Sequence, residues 1–290
     1  MTTKTENIAM TSKPAILITG CSSGVGLAAA RRFLRGGYPV YATARKPESL
    51  AELARAGAAT LALDVTDEES MTAAVKQVET DHGAVGVLVN NAAYGWQGAM
   101  ETVPLDQARA QFETNLFGLI RLSQLALPAM RARRCGRIVN VSAMGGHFSL
   151  PGTGVLHASK HAVRAVSNAM RLELRAFGIA VTMVEPGPIR TPFAAKANAT
   201  LPPPGSSPGY DRFHAELAIR LEAAYREKAL SPALSPEKVA RAIERAALAG
   251  RPRARYPVGI MSRYVITLTR VLPDRTLDAM VRQQFPVPRP

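Results

Sequence analysis

From Ala15 to Glu185, short apolar runs alternate with longer stretches whose apolar residues recur at helical spacing. AILITG at 15–20 is a β-rich run that ends in glycine, and the segment from Gly24 to Gly36 follows with Val25, Leu27, Phe33 and Leu34 on one helical face. VYATA at 40–44 predicts a second strand, Glu48 to Ala56 a helix, and TLALD at 60–64 a third strand. Asp67 is placed to cap a helix that runs to about His82. VGVLVNN at 85–91 and RIVNVS at 137–142 read as the fourth and fifth strands. Between them Pro104 opens a long helix to about Arg131, a position where proline's missing N–H costs little. A helix from about Val155 to Phe177 leads to a sixth strand, IAVTMVE at 179–185. Strands that are apolar throughout, alternating with helices, predict a parallel sheet covered on both faces. That is a doubly wound Rossmann-type α/β fold, whose ligands lie beyond the carboxyl ends of the strands.

The rhythm breaks after Glu185. Residues 186–232 carry PGPIRTPF, then LPPPGSSPGY, then a helical stretch around Phe213 to Lys228. So long an interruption inside a compact domain is usually functional. The pattern resumes with a helix near Pro236–Ala249, a last strand at ARYPVG and an amphipathic tail from Met261. With no internal repeat and no linker between two cores, residues 1–290 read as a single domain. Its parts are a flexible N-terminus at 1–13, a core at 14–185, an inserted segment at 186–232 and a C-terminal extension at 233–290.

Hydrophobic residues make up 47% and charged residues 20%, an ordinary globular balance. No apolar run approaches the roughly 18–20 residues that span a bilayer. The first dozen residues are polar and lack the apolar core of a secretion signal. Cys21 and Cys135 alone imply no disulfide framework, so a cytoplasmic location is expected. The net charge of +14 raises the question of an anionic partner. The arginines are scattered through Ala-rich helices without an aromatic-interleaved basic stripe, with a mild concentration at Arg251, Arg253, Arg255 and Arg263. A solvated surface is favoured and no nucleic-acid partner is expected.

TGCSSGVG, from Thr19 to Gly26, lies between the first strand and the first helix. Glycines there let the backbone turn tightly and approach a pyrophosphate, while the helix start supplies N–H donors. The placement makes this a dinucleotide-binding loop rather than a bare turn.

Several further motifs accompany it. LDV at 63–65 carries Asp64 and Val65, NNAA at 90–93 carries Asn91 and Ala92, and FETNLFG at 112–118 carries Asn115. Ser142 ends the fifth strand, ASKHA at 158–162 carries Lys160, and PGPIRT at 186–191 carries Pro186, Gly187, Ile189 and Thr191. Together these resemble the short-chain dehydrogenase/reductase family over most of the chain. The resemblance implies a nicotinamide dinucleotide held by Thr19, Gly20, Ser22, Ser23, Gly24, Val25 and Gly26. Asp64 and Val65 would lie on the adenine side. Asn91, Ala92, Lys160, Pro186, Gly187, Ile189 and Thr191 would complete the binding site. It also implies catalytic roles for Ser142, Lys160 and Asn115.

The choice of cofactor follows from charge. A carboxylate at the end of the second strand would bind ribose hydroxyls and repel a 2′-phosphate. Here Ala44 is followed by Arg45 and Lys46 instead, and a guanidinium fork suits a phosphate. NADP(H) is therefore expected over NAD(H).

One position departs from the family pattern. In the family a tyrosine four residues before the lysine exchanges the proton with the substrate, its pKa lowered by the neighbouring positive charge. Here that position is Leu156. His157 is adjacent but points about 100° away on a helix. His147 and Tyr94 are candidate pocket-wall substitutes, and a water relayed from Lys160 and Asn115 is another route. General acid–base catalysis contributes typically about 10²–10⁴ in rate, whereas orientation contributes about 7–11 kcal/mol. Hydride transfer can therefore survive the loss in weakened form.

Phe193 to Leu230 corresponds to the family's variable substrate lid, with Phe193, Tyr210, Phe213 and Tyr225 as aromatic surface and Pro202–Pro204 with Gly205 as a hinge. A small lipophilic carbonyl or alcohol is the expected substrate, the pattern being similar to hydroxysteroid- and retinol-dehydrogenase-like members. The tail residues Val265, Ile266, Leu268 and Leu272 are expected to pack on the domain or a subunit partner rather than a membrane. An NADP(H)-dependent oxidoreductase ranks first. A cofactor-binding protein without turnover, or a non-redox isomerase, cyclase or lyase, are the alternatives that Leu156 keeps open. The resemblance further implies a homodimer or homotetramer paired through the helices that carry Asn115 and Lys160.

Overall fold

The computed structural model describes residues 13–225, 233–285, 287 and 288. Expectations for residues 1–12 and for 226–232 of the inserted segment lie outside the described residues.

Seven parallel strands form one sheet in the order β3-β2-β1-β4-β5-β6-β7. They are β1 (Ile16–Ile18), β2 (Val40–Ala44), β3 (Ala59–Ala62), β4 (Val87–Asn90), β5 (Gly136–Val141), β6 (Ile179–Pro186) and β7 (Arg255–Val258). Ile16 pairs with Val40 on one side and Val87 on the other. The order reverses between β1 and β4, which opens a crevice at their carboxyl ends.

Alternation along β1 divides the core. Ile16 and Ile18 face a layer built with α1 (Gly24–Arg35), α2 (Ala51–Arg55) and α9 (Pro236–Leu248), through Phe33, Leu53 and Ile243. Leu17 faces the opposite layer, where α3 (Glu68–His82) and α5 (Gly118–Ala132) supply Val78, Leu122 and Met130. Each such fully buried side chain stabilises the fold by about 1.5–3 kcal/mol. The edges differ: β3 is half exposed, and β7 carries Pro257, which an edge strand tolerates.

Asp67 caps α3 as expected, accepting from Glu69 N at 3.0 Å and Ser70 N at 3.4 Å. Three boundaries shift. The third strand ends at Ala62, because Asp64 turns away to accept from Thr66 N at 3.0 Å. The long helix expected from Pro104 is α4 (Leu105–Phe112), one π-helical stretch at Glu113–Phe117, and then α5. The helix carrying Lys160, α6 (Gly154–Glu173), stops short of Phe177, where a single 3-10 turn follows. The inserted segment holds α7 (Phe193–Asn198) and α8 (Asp211–Tyr225), and the tail forms α10 (Ile260–Val271) and α11 (Asp274–Gln284). Among the described residues no helix is long and apolar enough to cross a membrane.

Candidate active site

The loop after β1 is shaped by positions where a side chain does not fit. Gly20 has φ +73°, and a Cβ on it would stand 3.0 Å from the Cα of Ala92. A Cβ on Gly26 would stand 2.3 Å from the carbonyl oxygen of Gly20. The start of α1 has no side-chain cap and no acidic residue in its first turn among the described residues. Its N–H groups are therefore left for an anion. Ser22, Ser23, Gly24 and Val25 line the cavity there, whereas Gly26 sits behind the loop. Thr19 also sits behind it: its Oγ1 accepts from Asn91 N and Ala92 N, both at 2.9 Å. Asn91 in turn donates to Thr19 O at 2.8 Å, so the two strand ends are locked together.

This loop opens one end of a cavity of about 1790 Å³, well above the roughly 300–1,000 Å³ of a single-ligand pocket. Arg45, exposed at the end of β2, lines that end with Asp64 and Val65. Farther along come Asn91, Ala92, Ser142, Lys160, Pro186, Gly187, Ile189 and Thr191.

Ser142 is buried at the end of β5, and its Oγ has no hydrogen-bond partner among the described residues. A buried hydroxyl left unsatisfied costs stability, so it is a marker for a site that a ligand completes. Lys160 is also buried; its Nζ donates to Val141 O at 3.2 Å, and burial pushes its pKa down to about 8. Asn115 lies in the π-helical stretch, a feature frequent at functional sites. Its Oδ1 accepts from Tyr94 N at 3.0 Å, and its Nδ2 donates to Tyr94 O at 2.9 Å and Ser159 Oγ at 3.0 Å. Asn115 thus holds the cavity wall from behind rather than lining it. Leu156, one helical turn before Lys160, does line it, beside Gly95 and Phe193.

All three candidate substitutes line the cavity, in different states. The His157 ring packs edge-on against Phe148 at 5.4 Å, and burial drives its pKa down to about 4. Burial raises the Tyr94 phenol, while the Arg45 guanidinium acts in the opposite direction. His147 Nε2 lies 2.8 Å from Glu185 Oε1, and both side chains are almost wholly buried. Glu185 is not among the residues that the sequence motifs single out. Its signal was a lone carboxylate closing an apolar strand, directly before PGP. The second oxygen of Glu185 has no partner among the described residues, and its backbone carbonyl accepts from Ser262 Oγ at 2.7 Å, which ties α10 to the site.

Of the expected substrate aromatics, Phe193 lines the cavity and two others do not. The Tyr210 hydroxyl donates to Glu101 Oε2 at 2.7 Å at the surface. Phe213 is buried with Leu217, Leu221 and Ala99. Position along α8 explains the difference: Phe213 and Leu217, in its first half, pack toward the loop at Ala99, while Arg220, Leu221 and Ala223, in its second half, reach the cavity. The far wall comes from the tail, with Met261, Val265 and Leu268 of α10 facing Leu277, Met280 and Val281 of α11 across the same space.

A family profile described as short chain dehydrogenase matches residues 14–202. The chain is 37% identical over 270 residues to the uncharacterized oxidoreductase YbbO of Escherichia coli, covering 92% of this chain and 93% of that one. It is 33% identical over 271 residues to the NADPH-dependent 3-dehydrocapnine reductase of Ornithobacterium rhinotracheale, covering 90% and 94%. A solved short-chain dehydrogenase from Streptomyces avermitilis matches with a TM-score of 0.77 at 31% identity, covering 95% and 96%. With its parallel sheet, glycine loop and Ser142–Lys160 cavity, the chain belongs to the short-chain dehydrogenase family and is an oxidoreductase of that type.

Proposed function

We propose that this protein interconverts a lipophilic ketone or aldehyde with its alcohol using NADP(H), and that it draws the proton from His147. The observation that carries this is the unpartnered Ser142 hydroxyl beside the desolvated Lys160, in the same cavity as the phosphate loop. The loop fits a dinucleotide because Gly20 and Gly26 leave no room for side chains and the N–H groups of α1 are free of a side-chain cap. Arg45 and Lys46 would hold a 2′-phosphate, which agrees with a relative named as NADPH-dependent. Asp64 and Val65 would flank the adenine. Lys160, with Asn91, Ala92, Pro186, Gly187, Ile189 and Thr191, would hold the nicotinamide end. When bound, NADPH supplies the hydride.

Ser142 donates a hydrogen bond to the carbonyl oxygen and so stabilises the charge that builds there. The proton would come from Nδ1 of His147, whose Nε2 lies 2.8 Å from Glu185 Oε1, and would be returned to Nδ1 from solvent after the transfer. A Cβ on Gly146, the preceding residue, would stand 3.4 Å from Ser142 Oγ, so the backbone that carries His147 passes close to that hydroxyl. His157, driven down to about 4, holds no imidazolium proton at neutral pH. Leu156, Phe193 and the apolar tail residues support a lipophilic substrate, in keeping with the sequence's likeness to hydroxysteroid- and retinol-dehydrogenase-like proteins. Outward apolar residues Leu105, Phe117 and Leu172 support assembly into a dimer or tetramer through the helices around Asn115 and Lys160.

The test is NADPH consumption on a panel of lipophilic ketones and aldehydes by the native protein and its Leu156→Tyr variant. Native turnover within about tenfold of the variant upholds the reading, since a missing proton donor costs typically about 10²–10⁴. Turnover by the variant alone would hand the native site to the other reading, a cofactor-binding or non-redox role, which the apolar Leu156 at the cavity wall favours.

A further inference from the structure

The last forty residues carry eight arginines against two aspartates, a net +6 of the chain's +14. The function proposed above uses none of this charge. α10 distributes its part of it in an ordered way. Met261, Val265, Leu268 and Thr269 line the cavity, and Ser262 and Ile266 are buried. The opposite face holds Ile260, Arg263, Tyr264, Thr267, Arg270 and Val271, all exposed. At 100° per residue these six fall within an arc of about 120°, with Ile260, Val271 and Tyr264 along one side and Arg263 and Arg270 along the other. Ile260 is 84% exposed, Val271 68% and Tyr264 56%, too much apolar surface on one short helix for scattered surface residues to explain.

We infer that this outer face of α10 is a docking surface for an anionic lipid bilayer. An apolar stripe bordered by arginines, with a tyrosine among them, is what the boundary between headgroups and acyl chains recognises. The charge complements an anionic leaflet, and no carboxylate lies on the stripe to oppose it. A second copy of the chain fits less well. A two-fold contact through the stripe would bring Arg263 and Arg270 against their own counterparts. At 12 residues, or about 18 Å, α10 is too short to span the roughly 30 Å hydrocarbon core, so it lies on the bilayer and does not cross it. Because the other face of the same helix walls the cavity, docking sets that cavity within about one helix diameter of the lipid.

The full-length protein is mixed with vesicles of phosphatidylcholine alone and of phosphatidylcholine containing one third phosphatidylglycerol, and the bound fraction is read by flotation. Binding is expected to the anionic vesicles, and to fall when salt rises from about 0.1 M to about 1 M, where the screening length drops from about 10 Å to about 3 Å. Arg263→Gln and Arg270→Gln are each expected to weaken it by roughly fivefold, and the triple change Ile260→Ser, Tyr264→Ser, Val271→Ser to abolish it with the circular dichroism spectrum retained. Absence of native binding to the anionic vesicles overturns the inference, as does equal binding to both kinds. So does a triple variant that keeps its vesicle binding, or one that light scattering shows has lost an oligomer the native protein forms. If the triple variant does not fold, the native comparison across lipid and salt decides.

Discussion

Around Gly20 and Asn91 the cavity wall is backbone, fixed by hydrogen bonds between the ends of neighbouring strands. Around Leu156 and Phe193 it is side chains, brought by α6, α7, α8, α10 and α11 from distant parts of the sequence. The first region is specified by a few positions that exclude a Cβ or donate an N–H, and its geometry belongs to the sheet. The second depends on how helices outside the sheet pack, and its chemistry rests on individual side chains. A scaffold of this kind can therefore hold one end of a site constant while the side chains of the other end vary.

The sharpest way to break that contrast is at the proton. His147→Gln is expected to lower kcat by about 10²–10⁴ while leaving KM for NADPH unchanged. In a Leu156→Tyr background the same substitution is expected to cost much less, because the tyrosine offers a second route. Single-turnover kinetics of the four proteins give the comparison. Equal losses in both backgrounds would make His147 a structural partner of Glu185 and nothing more.

A second contrast lies within the inserted segment. Phe213 is core between α8 and the loop at Ala99, whereas Phe193 is half-buried at the cavity wall. Phe213→Ala is expected to lower stability by about 3–5 kcal/mol, the cost of emptying a buried aromatic site. Phe193→Ala is expected to raise KM for a lipophilic ketone with little change in the urea midpoint. The reverse pattern would return Phe213 to the substrate.

At the cofactor end the expected effect is smaller. Arg45→Asp removes charge-assisted hydrogen bonds worth about 1.5–3 kcal/mol, so NADPH should bind roughly 10- to 100-fold more weakly while NADH is spared. Titration by cofactor fluorescence measures both. Unchanged preference would mean that Arg45 is merely solvated.

The sequence made these two regions legible to different degrees. The first six strands follow from apolar runs bounded by glycine and polar residues, and the capping aspartate of α3 follows from local hydrogen bonding. The glycine loop, Ser142 and Lys160 could be read because strand ends fix them. The π-helical stretch at Asn115 could not, since its residues keep helical spacing and the extra residue is absorbed by tertiary contacts with Tyr94 and Ser159. Thr19 and Gly26 were assigned to the cofactor but support the loop from behind, a distinction that spacing alone does not carry. Glu185 was hidden because a residue near a strand's end can point to solvent or inward, and its partner lies 38 positions away. The aromatic character of Tyr210 and Phe213 points to the substrate, but Tyr210, just before α8, bonds Glu101, and Phe213, at the start of that helix, packs with Ala99.

Lys160 joins the two regions, and its buried charge yields the smallest of these effects. Burial lowers its pKa from 10.5 to about 8, with Val141 O as a hydrogen-bond partner. The folded state then binds fewer protons than the unfolded chain between about pH 8 and the unfolded value of 10.5. Stability contributed by this group therefore rises with pH across that window, and below about 8 the full cost of the buried ammonium is present. Lys160→Met removes the cost. It is expected to raise Tm by a few degrees at pH 7, with the gain shrinking toward pH 10, while turnover falls because the cofactor loses its cation. Native activity should for the same reason decline as pH passes about 8. A fall in Tm at pH 7 would mean that the ammonium is held by more than it costs, and Lys160 would then belong to the scaffold of the cofactor region rather than to a site that sacrifices stability for function.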